Sequence, residues 1–245
     1  MSVAPVSGMS ARLARRGFLR APEVLLSTVV FAVFTLCPPV HALDLWLEAA
    51  FFDATAGSWL FPPGERDAAF WLLYRGPKLF FAAAGIASVL WLSSRAIAKR
   101  WRPFETRFLL GLLVFGATPL LVGLLKGSTG VSCPVQEAAF AGPYAHVAIW
   151  DRLAGFVPFN EHLRCWPAGH ASGGFGLLGL RLLSPPGERL RSRHLLPGLG
   201  AGWALGLYQM ARGQHYFSHT IVTMVIAILL SSLACVILDR IEDRG

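Results

Sequence analysis

Three of the seven histidines in this chain stand where apolar segments begin or end. His170 closes Trp166-Pro167-Ala168-Gly169-His170, where a polar stretch turns apolar. His215 and His219 lie in Arg212-Gly213-Gln214-His215-Tyr216-Phe217-Ser218-His219, between two apolar runs, and Lys126 ends a third run. An imidazole can attack phosphorus or protonate a leaving alkoxide. Lysine and arginine can hold phosphoryl oxygens and the charge of the transition state. Pro167–His170 reads as a tight turn opening a helix. Its free N–H groups, at Ala168 and Gly169, and the positive end of the helix dipole attract an anion, and glycine permits close approach. Lys126, His170, Arg212, His215 and His219 therefore suit phosphoryl chemistry.

The elements that must bring them together are apolar. Of 245 residues, 54% are hydrophobic and 15% charged, and mean hydropathy is +0.53. A soluble domain carries about 25% charge. Six apolar segments can be read, at 23–40, 78–93, 108–125, 170–183, 195–210 and 217–238. The expected fold is an all-α polytopic membrane protein: a six-transmembrane-helix bundle, one domain over 1–245, with an outward-facing active-site layer. The fourth and fifth segments are short, and are expected to extend into the motif segments beside them.

The net charge of +8 does not point to nucleic acid, because the basic residues sit between apolar blocks. Arg12, Arg15, Arg16 and Arg20 mark a basic tail over 1–21. Arg95, Lys99, Arg100, Arg102 and Arg107 fill the second-to-third connection, and Arg189, Arg191 and Arg193 the fourth-to-fifth. With six spans these lie on one side, which the positive-inside rule makes cytoplasmic. Both termini are then cytoplasmic, and the charge-balanced 126–169 loop faces out, in a bacterium into the periplasm. A cleavable signal peptide ending near Val40-His41-Ala42 is the alternative; it leaves five spans, which the charge pattern fits less well.

Residues 68–74, Ala-Ala-Phe-Trp-Leu-Leu-Tyr, are too short to span and are expected at the interface or leading into the second helix. Gly198, Gly202 and Gly206 recur every four residues, the signature of close helix packing.

At these motifs the chain resembles the type 2 phosphatidic acid phosphatase superfamily, whose motifs read Lys-x6-Arg-Pro, Pro-Ser-Gly-His and Ser-Arg-x5-His-x3-Asp. Here they read Lys126-x6-Cys133-Pro134, Pro167-Ala168-Gly169-His170 and Gln209-x5-His215-x3-His219. The resemblance implies a phosphohistidine on His215, His170 as general acid, phosphate held by Lys126 and the Pro167–His170 turn, and no metal or other cofactor. Three positions depart from the pattern. Cys133 and Gln209 stand where the motifs have arginine, with Arg212 near enough to reach the same phosphate. His219 stands where the motif has aspartate. A neutral His219 could accept a hydrogen bond from His215 and fix its tautomer; Asp151 or Glu161 of the outer loop is the candidate for the missing charge. Cys-Pro and His-x3-His are also features of a bacterial branch of the superfamily.

Cys133 and Cys165 share the outer loop, and a disulfide between them is favoured over two packed thiols; a metal site is disfavoured for lack of Cys-x2-Cys spacing. Cys37 and Cys235 read as small buried hydrophobes. His41 reads as interfacial, His194 as part of the inner loop, and His146 and His162 as surface residues. Trp150, Trp166, Trp203 and Tyr208 read as anchors or core.

The expected function is a membrane phosphatase removing phosphate from a lipid phosphate or pyrophosphate at the outer face of the bacterial inner membrane. Its partners are the lipid phosphate substrate and membrane lipids, with no nucleic acid and no obligate protein partner. The alternatives are a lipid phosphotransferase using the same histidine and a non-catalytic lipid-binding protein on the same scaffold. A haem or metal protein fits less well, since these histidines gather at helix ends.

Overall fold

The computed structural model describes residues 21–62, 68–185, 188–189 and 193–244. The expected basic tail and Arg191 lie outside them. The apolar periodicities resolve into helices: α1 Pro22–Leu36, α2 Pro39–Ala49, α3 Ala68–Ile97, α4 Pro103–Thr129, the short α5 Ile149–Leu153, α6 Gly169–Phe175, α7 Leu196–Met210 and α8 Phe217–Glu242. α6 runs on as 3-10 turns over Gly176–Leu183. A two-residue-per-strand hairpin pairs Phe52–Asp53 with Ser58–Trp59.

Three helices among the described residues, α3, α4 and α8, are long and apolar enough to cross a membrane, and α1 with α2 makes a fourth if the bent pair is one span. The expected first segment, 23–40, does not run straight. Pro38 and Pro39 lack the N–H groups that would continue the helix, and the axis bends by 78° between Leu36 and Pro39. α7 keeps 15 residues, and α6 starts only one residue before the expected bound. Neither grows further into its motif. The chain after α7 turns at Gly213, with φ +66°, where a side chain would meet the Trp59 ring at 2.3 Å.

α8 is the buried axis of the bundle, whereas most of α3 is open to its surroundings. Leu79, Phe80, Ile86, Val89 and Leu90 of α3 are exposed apolar side chains, as befits a membrane protein. The glycine stripe of α7 does pack: a Cβ on Gly198 would stand 2.7 Å from Leu178 N, one on Gly202 2.1 Å from the Phe175 ring, and one on Gly206 2.5 Å from Thr220.

The two ends of the bundle differ. At one end, Arg189 is paired with Asp239 and with Glu242 (2.9 Å), Arg107 with Glu242 (2.8 Å) and Arg95 with Glu105 (2.7 Å). These pairs clamp the α3–α4 corner and the segment before α7 onto the C-terminal end of α8. The opposite end gathers the motifs.

Candidate active site

Each motif residue is delivered by the end of a helix. α4 carries Lys126 in its last turn and stops at Gly130, which adopts the left-handed conformation at φ +64°. α6 starts at Gly169, so His170 lies in its first turn. His215 lies just before α8, whose extended N-cap residue is Tyr216. The connection that holds His215 is pinned from outside: Phe61 N–H donates to Ala211 O at 3.1 Å, and Val135 N–H to Gly213 O at 2.8 Å.

Lys126, Gly169, His170 and His215 line one cavity of roughly 490 Å³, together with Tyr74, Lys78, Phe81, Phe115, Ser172 and Leu205 among others. The Lys126 Nζ lies 3.6 Å from where a Gly169 Cβ would stand, so glycine lets the cation over the turn.

α3 contributes more than the sequence suggested. Residues 68–74 lead into the second helix, and Trp71–Arg75 wind as a π-helix, with Gly76 N–H bonded to Trp71 O. Such π turns are frequent at functional sites. His170 Nε2 meets Leu73 O at 2.8 Å. A carbonyl only accepts, so this nitrogen carries the proton and the tautomer is fixed. Tyr74 stacks on the His170 ring, centroids 4.6 Å apart. Lys78 Nζ sits 4.0 Å from the Tyr74 ring centroid and adds a second cation to the cavity. A single sequence marks Lys78 only as the first residue of an apolar run.

His215 is almost wholly buried. Burial holds its imidazole well below the usual range, and the charge of Lys126 adds to this, followed by His219; a hydrogen bond to the Cys165 backbone opposes them. The ring is therefore neutral at physiological pH, the form a nucleophile needs.

Cys133 and Cys165 form a disulfide, Cα atoms 5.1 Å apart. The cysteine at the first-motif arginine position thus ties that motif to the second. Cys165 Sγ stands 3.4 Å from His215 Nδ1 and 2.9 Å from Gln214 O. A disulfide sulfur has no hydrogen to donate, so both are packing contacts. Donor atoms of Cys165, His215 and His219 lie within 4.8 Å of one another. That spacing would suit a metal ion, but the bonded sulfur offers no thiolate, and two imidazoles remain.

Four expectations need correction. Ala168 does not reach the cavity: its N–H donates to His219 O at 3.2 Å and its carbonyl accepts from Thr223 Oγ1 at 3.1 Å. Arg212 stops short of the lining, its guanidinium held 5.3–5.7 Å from the centroids of the Phe70, Tyr74 and Tyr208 rings. His219 stands beside His215 without a hydrogen bond to it: the ring centroids are 6.1 Å apart, a ring nitrogen of each lies within 4.8 Å of the other, and His219 Nδ1 is buried without a partner. Asp151 caps its own helix through Ala148 N–H (3.2 Å), and Glu161 is exposed, so neither stands in for the motif aspartate.

His41 and His146 are not scattered interfacial or surface groups. Their rings stack 3.6 Å apart, and His146 Nδ1 is 2.9 Å from Glu137 Oε1. Glu137 also accepts from Ser132 Oγ and Tyr216 Oη, each at 2.6 Å. Burial and Glu137 push the Tyr216 phenol up, so it remains a donor.

With three motifs meeting in one cavity, the class is a phosphoryl-transfer fold. The family model of the PAP2 superfamily matches residues 107–242, more than half of the chain, and the chain belongs to that superfamily. The family acts on phosphate esters, and the chain is a phosphatase of this kind. No curated protein and no solved structure matches it.

Proposed function

We propose that the substrate is a lipid phosphate or pyrophosphate, dephosphorylated through a phosphohistidine on His215. One observation carries the lipid reading. The charged cavity continues into an apolar groove of roughly 230 Å³ between α3, α4 and the 176–183 turns, and Phe81 and Phe115 line both. Gly111 and Gly179, which line the groove, hold α4 and the 176–183 turns in close backbone contact. A head group at Lys126 and Lys78 places an alkyl chain in this groove.

His215 attacks phosphorus as the bond to the leaving oxygen breaks. The electron pair goes to that oxygen, which takes the proton from Nδ1 of a His170 imidazolium whose Nε2–H stays on Leu73 O. Water then cleaves the phosphorus–nitrogen bond, giving a proton to His170 and releasing phosphate. Lys126 and Lys78 offset charge on the phosphoryl oxygens throughout. No step needs a metal ion.

The remaining topology belongs to the same proposal. We read α1–α2, α3, α4, α6 with its 3-10 extension, α7 and α8 as six passes in a bacterial inner membrane, with the motif end periplasmic. The ion-paired end with Arg95, Arg107 and Arg189 then faces the cytoplasm, in keeping with the positive-inside rule.

The test is phosphate release from phosphatidic acid, phosphatidylglycerol phosphate, undecaprenyl pyrophosphate and lipid A in detergent, with chelator present. Release is expected from at least one, lost in His215→Ala and His170→Ala. Equal release by wild type and variants would refute the assignment.

A further inference from the structure

Beside His219, and without His215 in its lining, lies a small chamber of roughly 40 Å³. Its lining includes Thr35, His41, Asp44, His146, Ser218 and His219. Thr35 Oγ1, His146 Nε2 and His219 Nδ1 are all buried without a protein partner. Buried polar atoms are normally hydrogen-bonded, and a polar space of this size accommodates ordered water, which needs about 10–15 Å³ per molecule.

One carboxylate in this lining is tied directly to the nucleophile's strand of chain. Asp44 is buried, and its two oxygens accept from Ser218 N–H (2.9 Å) and Ser218 Oγ (2.5 Å). Ser218 is the residue before His219. The bend at Pro38 and Pro39 is what turns α2, and with it Asp44, onto the start of α8. Glu137 is less available, since Ser132, Tyr216 and His146 already occupy it.

We propose that Asp44 is the positioning carboxylate of the nucleophile, its negative charge reaching His215 through His219 and chamber water. The motif's aspartate is thus replaced by two residues on different helices: an imidazole at 219 and a carboxylate at 44. Asp44 touches no substrate and exchanges no proton in the reaction. It steadies the charge on His215 while the phosphoryl group is attached. The proposal rests on the phosphatase reading for its kinetic consequence.

A plain structural role would make Asp44 only a cap on the first turn of α8. Asp44→Asn separates the two, since the amide keeps an oxygen for Ser218 and removes the charge. With a lipid phosphate that the wild type hydrolyses, Asp44→Asn is expected to lower kcat at least tenfold, with KM within twofold and a melting temperature within a few degrees of wild type. Adding His219→Asp to Asp44→Asn sets a carboxylate beside His215 directly and is expected to recover most of the lost kcat. Wild-type kcat in Asp44→Asn, or no recovery in the double variant, overturns the proposal. A second reading needs no turnover: nitrogen chemical shifts of the labelled imidazoles. Asp44→Asn is expected to move the His219 and His215 resonances. Unmoved resonances overturn the proposal, even if no lipid is hydrolysed, an outcome that by itself would refute only the phosphatase reading.

Discussion

Cys165 Sγ packs 3.4 Å from Nδ1 of His215, so the disulfide to Cys133 forms one wall of the seat of this imidazole. It closes a loop with 32 residues of separation. Closing a loop of that length stabilises a fold by ~3–4 kcal/mol in the chain-entropy account. Cys133→Ser/Cys165→Ser is expected to melt at lower temperature and to lose kcat more than KM. Thermal unfolding in detergent beside steady-state kinetics checks this; unchanged values in both would show the bond to be incidental.

The pH dependence follows from His215. Its folded pKa lies below the unfolded value of about 6.5. The neutral ring is therefore favoured by folding, and its contribution to stability is full above about pH 6.5. That contribution falls as pH drops from there toward the folded pKa. The acid limb of kcat/KM that reports His215 is expected below pH 6.5. Lys126 is one cause of the depression, so Lys126→Met should move that limb to higher pH while lowering the rate. A limb that stays in place would show that the Lys126 charge does not reach the ring.

Lys78 is expected to act on the phosphate alongside Lys126, since both line the cavity. A hydrogen bond to a charged group is worth about 1.5–3 kcal/mol. Lys78→Met should therefore cost roughly 10- to 100-fold in kcat/KM. A loss below twofold would reduce Lys78 to a partner of the Tyr74 ring.

Much of this site was legible because it lies on helix ends. Lys126, Gly169, His170 and His215 come from segments whose borders the apolar runs mark, and they meet in one cavity. His219 misled for a local reason. Three intervening residues suggest one helical turn, but His215 precedes the extended N-cap Tyr216, so the two rings do not share a helix face. Asp44 was illegible because its contact with Ser218 spans 174 residues and depends on the direction of a bend. The proline pair shows that the helix breaks there, not where it goes. Lys78 and Tyr74 reach His170 through a π turn, which no apolar pattern announces.

Packing makes a prediction apart from chemistry. A Cβ at Gly202 would stand 2.1 Å from the Phe175 ring, and one at Gly174 2.4 Å from Gly202 N. Overpacking of this kind costs about 1–3 kcal/mol. Gly202→Ala should lower the melting temperature and, by shifting α6, the activity. Wild-type stability would show that α6 and α7 can separate freely.

The central claim is that His215 carries the phosphoryl group. The most direct measurement is acid-sparing, alkaline quenching of the enzyme turning over a radiolabelled lipid phosphate, followed by peptide mapping. The account predicts label bound through nitrogen on the peptide containing His215, and none in His215→Ala. Label on another residue, or turnover with no trapped label in an enzyme whose second step has been slowed, would contradict it.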